Sequence, residues 1–280
     1  MLTIRWIGGK RLLAKKIATL IPPDHTCYME PFFGSGSVLF AKPRSRVEIA
    51  NDIDGDLITL FKVVKERPEE LVEWFRLRIV SENMFKEMVA WRPTQDIDIA
   101  GRFLYLNKIC FSGEVSSPYL AVSAKSGGAS KHMFLLSLKD DVNAMYKRAA
   151  AVTFLNRRAE DVLPIADEET VVYLDPPYYG TRGYRFETDW DFLLGWVATT
   201  KSRVIFSINK CDFVDENLVP LFVNVIEEKV SYSLSKDGSG RKKNAEYILT
   251  NFVAGNEIVG KTVEESDMSG TMFDIGNNEG

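Results

Sequence analysis

The run VVYLDPPYYG at 171–180 places an aspartate, two prolines and two tyrosines directly after an apolar stretch. Its apolar start predicts a buried strand that delivers Asp175 to the carboxyl end, where open α/β sheets bind ligands. Pro176 and Pro177 then end any helix or strand ladder and predict a rigid loop. The Asp175 carboxylate, the Pro176 carbonyl and the Tyr178 ring would face one small space. Two acceptors and an aromatic face suit a planar heterocycle that carries an amino group.

A second motif, EPFFGSGSVLF at 30–40, predicts a strand followed by a glycine turn and the start of a helix. Such a turn lets the backbone approach a ligand, with amide donors and a helix N-terminus aimed at it. Asp52 ends the next strand, near the spacing at which an acid meets a ribose hydroxyl in nucleotide-binding sheets. A tight turn with a capping aspartate remains an alternative. Asp54 and Asp56 are rival acids that would equally suit helix capping.

Strands and helices alternate along most of the chain, which predicts a doubly wound, mainly parallel sheet with helices on both faces. Strand signals lie at 46–52, 151–155, 170–175 and 202–208. The stretch 223–253 predicts two long strands joined by a glycine-rich basic turn. Helical patterns fill 68–110, whereas 111–133 has no regular period.

Composition excludes several classes of protein. The chain has 280 residues, 45% of them apolar, which is too many for a mainly disordered protein. Nothing approaches the roughly 18 consecutive apolar residues of a membrane span, and charges near the start disfavour a signal peptide. The three well-separated cysteines indicate reduced thiols, so we expect a cytoplasmic protein without a metal site.

The charge is unevenly distributed. Segment 254–280 contains six acidic residues and one basic residue, so residues 1–253 carry +1 although the whole chain carries −4. A nearly neutral body can still present a basic face to nucleic acid. We expect the acidic tail to be poorly ordered.

Six motifs in the same order resemble the Dam-like DNA adenine N6-methyltransferases, and the resemblance covers most of residues 4–253. DPPY is joined by RWIGGK (5–10), FFGSG (32–36), AND (50–52), FLYLNKICFSG (103–113) and RKKNAE (241–246). The resemblance implies a class I S-adenosylmethionine-dependent methyltransferase sheet whose last strand is antiparallel. It also implies a catalytic domain at 1–60 and 136–253 and an inserted helical DNA-recognition lobe at 61–135.

The resemblance implies a role for each matched residue. The implied catalytic residues are Asp175, Pro176, Pro177 and Tyr178. The implied S-adenosylmethionine site contains Trp6, Lys10, Phe33, Gly34, Gly36, Asp52 and Asp175. The expected contacts to double-stranded DNA are Asn107, Lys108, Lys125, Lys131, Arg182, Arg185, Arg241, Lys242 and Lys243. For Trp6 the alternative is a core aromatic, and for the basic residues it is a solvated surface.

The implied reaction is direct transfer of a methyl group to the amino nitrogen of a flipped-out adenine, leaving S-adenosylhomocysteine. Cytosine C5 methylation is disfavoured because it needs a cysteine nucleophile, normally after proline, and no cysteine here follows one. Methylation of RNA adenine, methylation of cytosine N4 and DNA binding without turnover stay open as alternatives. We expect a stand-alone enzyme that is a monomer or a weak dimer.

The chain departs from its GATC-reading relatives in segment 111–133, which contains no arginine. Arginine is the usual bidentate reader of guanine. Bases would have to be read instead by serines, Tyr119, Lys125, Lys131 or His132. These side chains lack the planar pair of donors with which arginine contacts a guanine edge. We therefore expect a preferred site other than GATC.

Overall fold

The structure is a computed structural model that describes residues 3–6, 10, 12–110, 134–181, 186–231 and 243–253. In chain order its elements are α1 (Ala14–Leu20), β1 (Cys27–Glu30), α2 (Ser37–Ala41), β2 (Val47–Asn51), α3 (Gly55–Glu66), α4 (Pro68–Arg76), α5 (Glu82–Ala90), α6 (Asp96–Ile109), α7 (Phe134–Ala149), β3 (Val152–Leu155), α8 (Ala159–Val162), β4 (Thr170–Leu174), α9 (Trp190–Thr199), β5 (Arg203–Asn209), α10 (Asp212–Asn217), β6 (Asn224–Ser231) and β7 (Lys243–Thr250). Single 3₁₀ turns follow α8 and α10.

The strands form a seven-stranded sheet in the order β3-β2-β1-β4-β5-β7-β6. The pairs among β1 to β5 are parallel, whereas β7 runs antiparallel to both β5 and β6. This confirms the predicted doubly wound sheet with an antiparallel last strand. The strand order reverses between β1 and β4, so their carboxyl ends flank the crevice where such sheets bind ligands.

Alternation along the strands divides the apolar core between the two faces of the sheet, because successive side chains point to opposite sides. Tyr28, Val171 and Tyr173 belong to one hydrophobic cluster, and Met29 and Val172 belong to the other. All five residues of β4 are buried, as expected of a central parallel strand covered on both faces. The apolar run before Asp175 is therefore a buried strand, as predicted.

The helical pattern predicted over 68–110 forms α4, α5 and α6. Buried residues of α6, including Phe103 and Leu104, share one hydrophobic cluster with sheet residues such as Tyr28.

The division of the chain into a catalytic domain and a recognition lobe stays a prediction. Segments 111–133 and 254–280, which bear on it, lie outside the described residues. Among the residues that are described, no helix is long and apolar enough to cross a bilayer.

Candidate active site

Asp175 lies directly after β4, where its carboxylate is held from two sides. Its Oδ1 atom accepts a hydrogen bond from Lys10 Nζ at 2.6 Å and another from Ser207 Oγ at 3.1 Å. Ser207 is fully buried on the neighbouring strand β5, and its hydroxyl also bonds the Tyr173 hydroxyl at 2.8 Å. The Asp175 side chain remains 19% exposed. The carboxylate is thus oriented by protein groups, while the side chain as a whole keeps some exposure to solvent.

Tyr178 is fixed through its hydroxyl. The oxygen accepts a hydrogen bond from Lys10 Nζ at 2.6 Å and donates one to Glu246 Oε1. The Lys10 ammonium also lies 4.7 Å from the centre of the tyrosine ring. Lys10 therefore contacts both Asp175 and Tyr178, the two ends of the DPPY loop.

Burial raises the pKa of Asp175 above its ordinary value, since a charged carboxylate is disfavoured away from water. The Lys10 charge and hydrogen bond lower that pKa, and the nearby Glu246 charge raises it. The ammonium of Lys10 thus favours the ionised form of Asp175, which is the form that can accept hydrogen bonds through both oxygens.

The glycine turn adopts backbone conformations that few other residues tolerate. Gly34 has φ +49° and Gly36 has φ +66°, both in the left-handed region. A Cβ atom at Gly34 would lie 2.8 Å from the Trp6 ring, and one at Gly36 would overlap the Phe33 ring. Both the backbone angle and the available space therefore require glycine. Trp6 lies against the turn, and its predicted cofactor contact stays a prediction.

Asp52 holds this turn in place. Its Oδ2 atom accepts the Gly34 N–H at 2.7 Å, and its Oδ1 atom accepts the Asp54 N–H at 2.9 Å. Burial raises the pKa of Asp52 to about 6, and backbone hydrogen bonds partly oppose that rise. Asp54 caps α3 by accepting from the Asp56 and Leu57 amides, so the capping interpretation is confirmed for Asp54.

Phe33 places its ring in the core instead of the pocket. The side chain is 3% exposed and packs edge-on against Phe61 at 4.9 Å and Phe154 at 5.7 Å. Its backbone N–H donates to the Asn51 carbonyl, and its carbonyl accepts from the Gly36 N–H. The Phe33 side chain therefore supports the turn from the core, and the predicted cofactor contact of Phe33 stays a prediction.

The position of Asn107 differs from the one expected of a predicted DNA contact. The residue is fully buried, and its amide group bonds both the N–H and the carbonyl of Arg5. A side chain in that position is not available to DNA. Lys108, beside it on α6, donates from Nζ to the Thr3 carbonyl at 2.6 Å. Both residues hold the N-terminal segment that carries Trp6 and Lys10.

Most other predicted DNA contacts lie outside the described residues: Lys125, Lys131, Arg182, Arg185, Arg241 and Lys242. Lys243 begins β7, where its backbone pairs with Ser231.

Glu246 also belongs to the site, although no role was predicted for this residue from the sequence. It is the last residue of the RKKNAE motif. Its signal was a single acid directly before the apolar run YIL of β7.

The sheet order, the antiparallel β7 and the two loops at the switch point define a class I methyltransferase fold. Residues 6–219 match the family of D12 class N6 adenine-specific DNA methyltransferases. This match covers well over half of the 280 residues. The chain belongs to that family, which supports DNA adenine N6-methylation.

The names of individual relatives agree with the description of the family. The chain is 24% identical over 259 residues to the Type II methyltransferase M.CviBI of Paramecium bursaria Chlorella virus NC1A, covering 88% of this chain and 97% of that protein. It is 31% identical over 189 residues to the DNA adenine methylase of Escherichia coli strain K12, covering 62% of this chain and 64% of that protein. The match thus spans less than two thirds of the bacterial protein.

Proposed function

We propose that this chain methylates adenine N6 at a specific short site in double-stranded DNA, using S-adenosylmethionine as the methyl donor. The observation that carries the proposal is the convergence of Lys10, Asp175 and Tyr178 at the carboxyl end of β4. That point lies across the switch point from the glycine turn. An amino-bearing base and a methyl donor would therefore meet between the two loops.

Asp175 and Pro176 have the role of activating the amine. The adenine amino nitrogen is a poor nucleophile because its lone pair is delocalised into the ring. Hydrogen bonds from its two N–H groups to the Asp175 carboxylate and the Pro176 carbonyl would localise that lone pair. The amine nitrogen would then bond to the methyl carbon as the methyl–sulfur bond breaks, which would leave S-adenosylhomocysteine, and the methylated amine would release one proton to solvent. Positioning and electrostatics supply the rate enhancement, with no covalent enzyme intermediate.

Tyr178 has the role of receiving the flipped base. An adenine inside a duplex cannot present its amino group to the loop, so it must leave the stack. An aromatic ring supplies the stacking face that compensates in part for this loss. The hydroxyl bonds to Lys10 and Glu246 fix where that ring lies.

The residues of the glycine turn fit the methyl donor. An ionised carboxylate has about four lone-pair sites, so the backbone bonds to Asp52 leave capacity for a ribose hydroxyl. The Trp6 ring packs on the Gly34 backbone, 2.8 Å from where a Cβ atom would lie, so an aromatic ring adjoins the turn. When bound, S-adenosylmethionine supplies an electrophilic methyl sulfonium. Asp52, Gly34 and Trp6 would hold it, while Asp175 orients the acceptor amine.

The test incubates the purified chain with S-adenosylmethionine and unmethylated genomic DNA, followed by methylation-aware sequencing. We expect N6-methyladenine at one short motif. Asp175→Ala should lower turnover by about a hundredfold or more, because it removes an acceptor for the target amine. Asp191→Ala is the matched control, since Asp191 is exposed on α9.

Circular dichroism and calorimetry check that the Asp175→Ala protein is folded and still binds S-adenosylmethionine. Absence of N6-methyladenine with the parent protein would overturn the proposed function. Turnover of Asp175→Ala within about threefold of the parent would overturn the catalytic role of Asp175 alone.

A further inference from the structure

Antiparallel pairing brings the start of β7 to the catalytic edge of the sheet. The strands β4 and β5 end at this edge, and Glu246 pairs in register with Asn209, the last residue of β5. The Glu246 side chain is 1% exposed. A carboxylate buried to this degree needs partners to offset its lost hydration.

Two partners of the Glu246 side chain belong to the DPPY loop and the N-terminal segment. Its Oε1 atom accepts the Tyr178 hydroxyl proton and lies 3.8 Å from Lys10 Nζ. Lys10 donates in turn to Asp175 Oδ1 and to the Tyr178 hydroxyl. A chain of contacts thus connects the last strand of the sheet to both ends of the catalytic loop.

We infer that Glu246 is a positioning residue for methyl transfer: it fixes the Tyr178 ring through the hydroxyl and orients the Lys10 ammonium on Asp175. This inference rests on the proposed function and adds a residue to it. Glu246 acts through Tyr178 and Lys10 and does not itself touch the base. Preorganised groups raise the rate because the geometry of reaction is already formed when substrate binds.

The kinetic test compares Glu246→Ala and Glu246→Gln with the parent. We expect Glu246→Ala to lower kcat by about tenfold to a hundredfold, with KM for DNA changed much less. Glu246→Gln keeps an oxygen that can accept from Tyr178, so its loss should be smaller. Glu228→Gln is the matched control, because Glu228 lies opposite Glu246 on β6 and pairs with Lys16 outside the loop.

A double-variant cycle separates positioning from general stabilisation. Tyr178→Phe removes the hydroxyl that Glu246 binds, so Glu246→Gln should lower kcat less in that background than in the parent, and the remaining loss reports the contact of Glu246 with Lys10. A purely structural role would give the same loss of kcat in both backgrounds, and that result would overturn the inference.

Hydrogen exchange supplies a readout that does not depend on turnover. The Thr181 N–H donates to the Tyr178 carbonyl, so its protection reports on loop order. We expect faster exchange in 178–181 for Glu246→Ala and Glu246→Gln, and parental exchange for Glu228→Gln. If the parent did not methylate DNA, the proposed function would fail while this experiment would still decide whether Glu246 orders the loop. Unchanged exchange, or kcat of Glu246→Ala within about twofold of the parent, would overturn the inference.

Discussion

The side-chain amide of Asn107 bonds both backbone polar groups of Arg5. Its oxygen accepts the Arg5 N–H at 3.0 Å, and its nitrogen donates to the Arg5 carbonyl at 2.7 Å. The two residues are 102 positions apart in sequence. This clamp attaches the N-terminal segment to α6 beside Trp6 and Lys10. Helix α6 therefore contributes to the candidate site by fixing the segment that carries two of its residues.

Asn107→Ala should lower stability and weaken S-adenosylmethionine binding without changing the methylated motif. The substitution leaves the Arg5 N–H and carbonyl without their partners, which costs about 1–3 kcal/mol per group where it is buried. Urea denaturation, calorimetry and methylation sequencing measure the three properties. Asn217→Ala is the control, since that amide bonds an exposed carbonyl within α10. A changed motif with parental stability would instead support a DNA contact for Asn107.

Asp52→Ala should weaken S-adenosylmethionine binding by about 1.5–3 kcal/mol, the range for a hydrogen bond to a charged group. The lost contacts are the predicted ribose bond and the bond that holds Gly34. Calorimetry measures the affinity. Asp54→Ala removes the cap of α3 and should cost about 0.5–2 kcal/mol of stability while leaving affinity close to the parent value. Equal affinities for Asp52→Ala and the parent would remove Asp52 from the cofactor site.

Gly36→Ala should destabilise the fold by about 1–3 kcal/mol. The residue has φ +66°, and the added methyl group would overlap the Phe33 ring. Gly195→Ala is the matched control because it lies inside α9 with open space around the new Cβ position. That change should stabilise by about 0.5–1 kcal/mol, as alanine favours a helix interior. Comparable urea midpoints for the two variants would contradict the argument.

Glu30→Gln should alter how stability depends on pH. Burial raises the pKa of Glu30 from 4.5 to about 8, while the Tyr28 hydroxyl bond lowers it. Between those values the folded parent keeps a proton that the unfolded chain releases. The free energy of unfolding of the parent therefore falls by up to about 1.4 kcal/mol per pH unit as pH rises through this window.

Glutamine cannot ionise, so the Glu30→Gln variant should gain stability relative to the parent from about pH 5 to about pH 8. The difference should level off above about pH 8, where Glu30 is ionised in both states. Urea denaturation at three pH values across the window checks this. A difference that does not change with pH would mean that Glu30 has the same pKa folded and unfolded.

Replacing 112–133 with a short Gly/Ser linker should relax or abolish sequence preference yet spare S-adenosylmethionine binding. The segment lies outside the described residues, and the prediction depends on its lack of arginine. Each bidentate arginine–guanine contact is worth about 1–3 kcal/mol of discrimination. Methylation sequencing of parent and variant compares the motifs that the two proteins methylate. Selective methylation of GATC by the parent, or an unchanged motif in the variant, would contradict it.

Local sequence determined the strands and the two loops that follow β1 and β4. Apolar strand runs, glycines at positive φ and two consecutive prolines each act within a few residues, so their consequences can be predicted without knowing the rest of the chain. This is why the positions of Asp175 and the turn at Gly34 and Gly36 were predictable.

Tertiary structure alone decided which distant residues meet. Lys10 reaches Asp175 across 165 positions, and Tyr178 reaches Glu246 across 68. The direction of a side chain is likewise set by packing, which turned Phe33 into the core and closed Asn107 onto Arg5. No local period encodes these contacts, because they arise only when the sheet order brings β4, β5 and β7 to one edge.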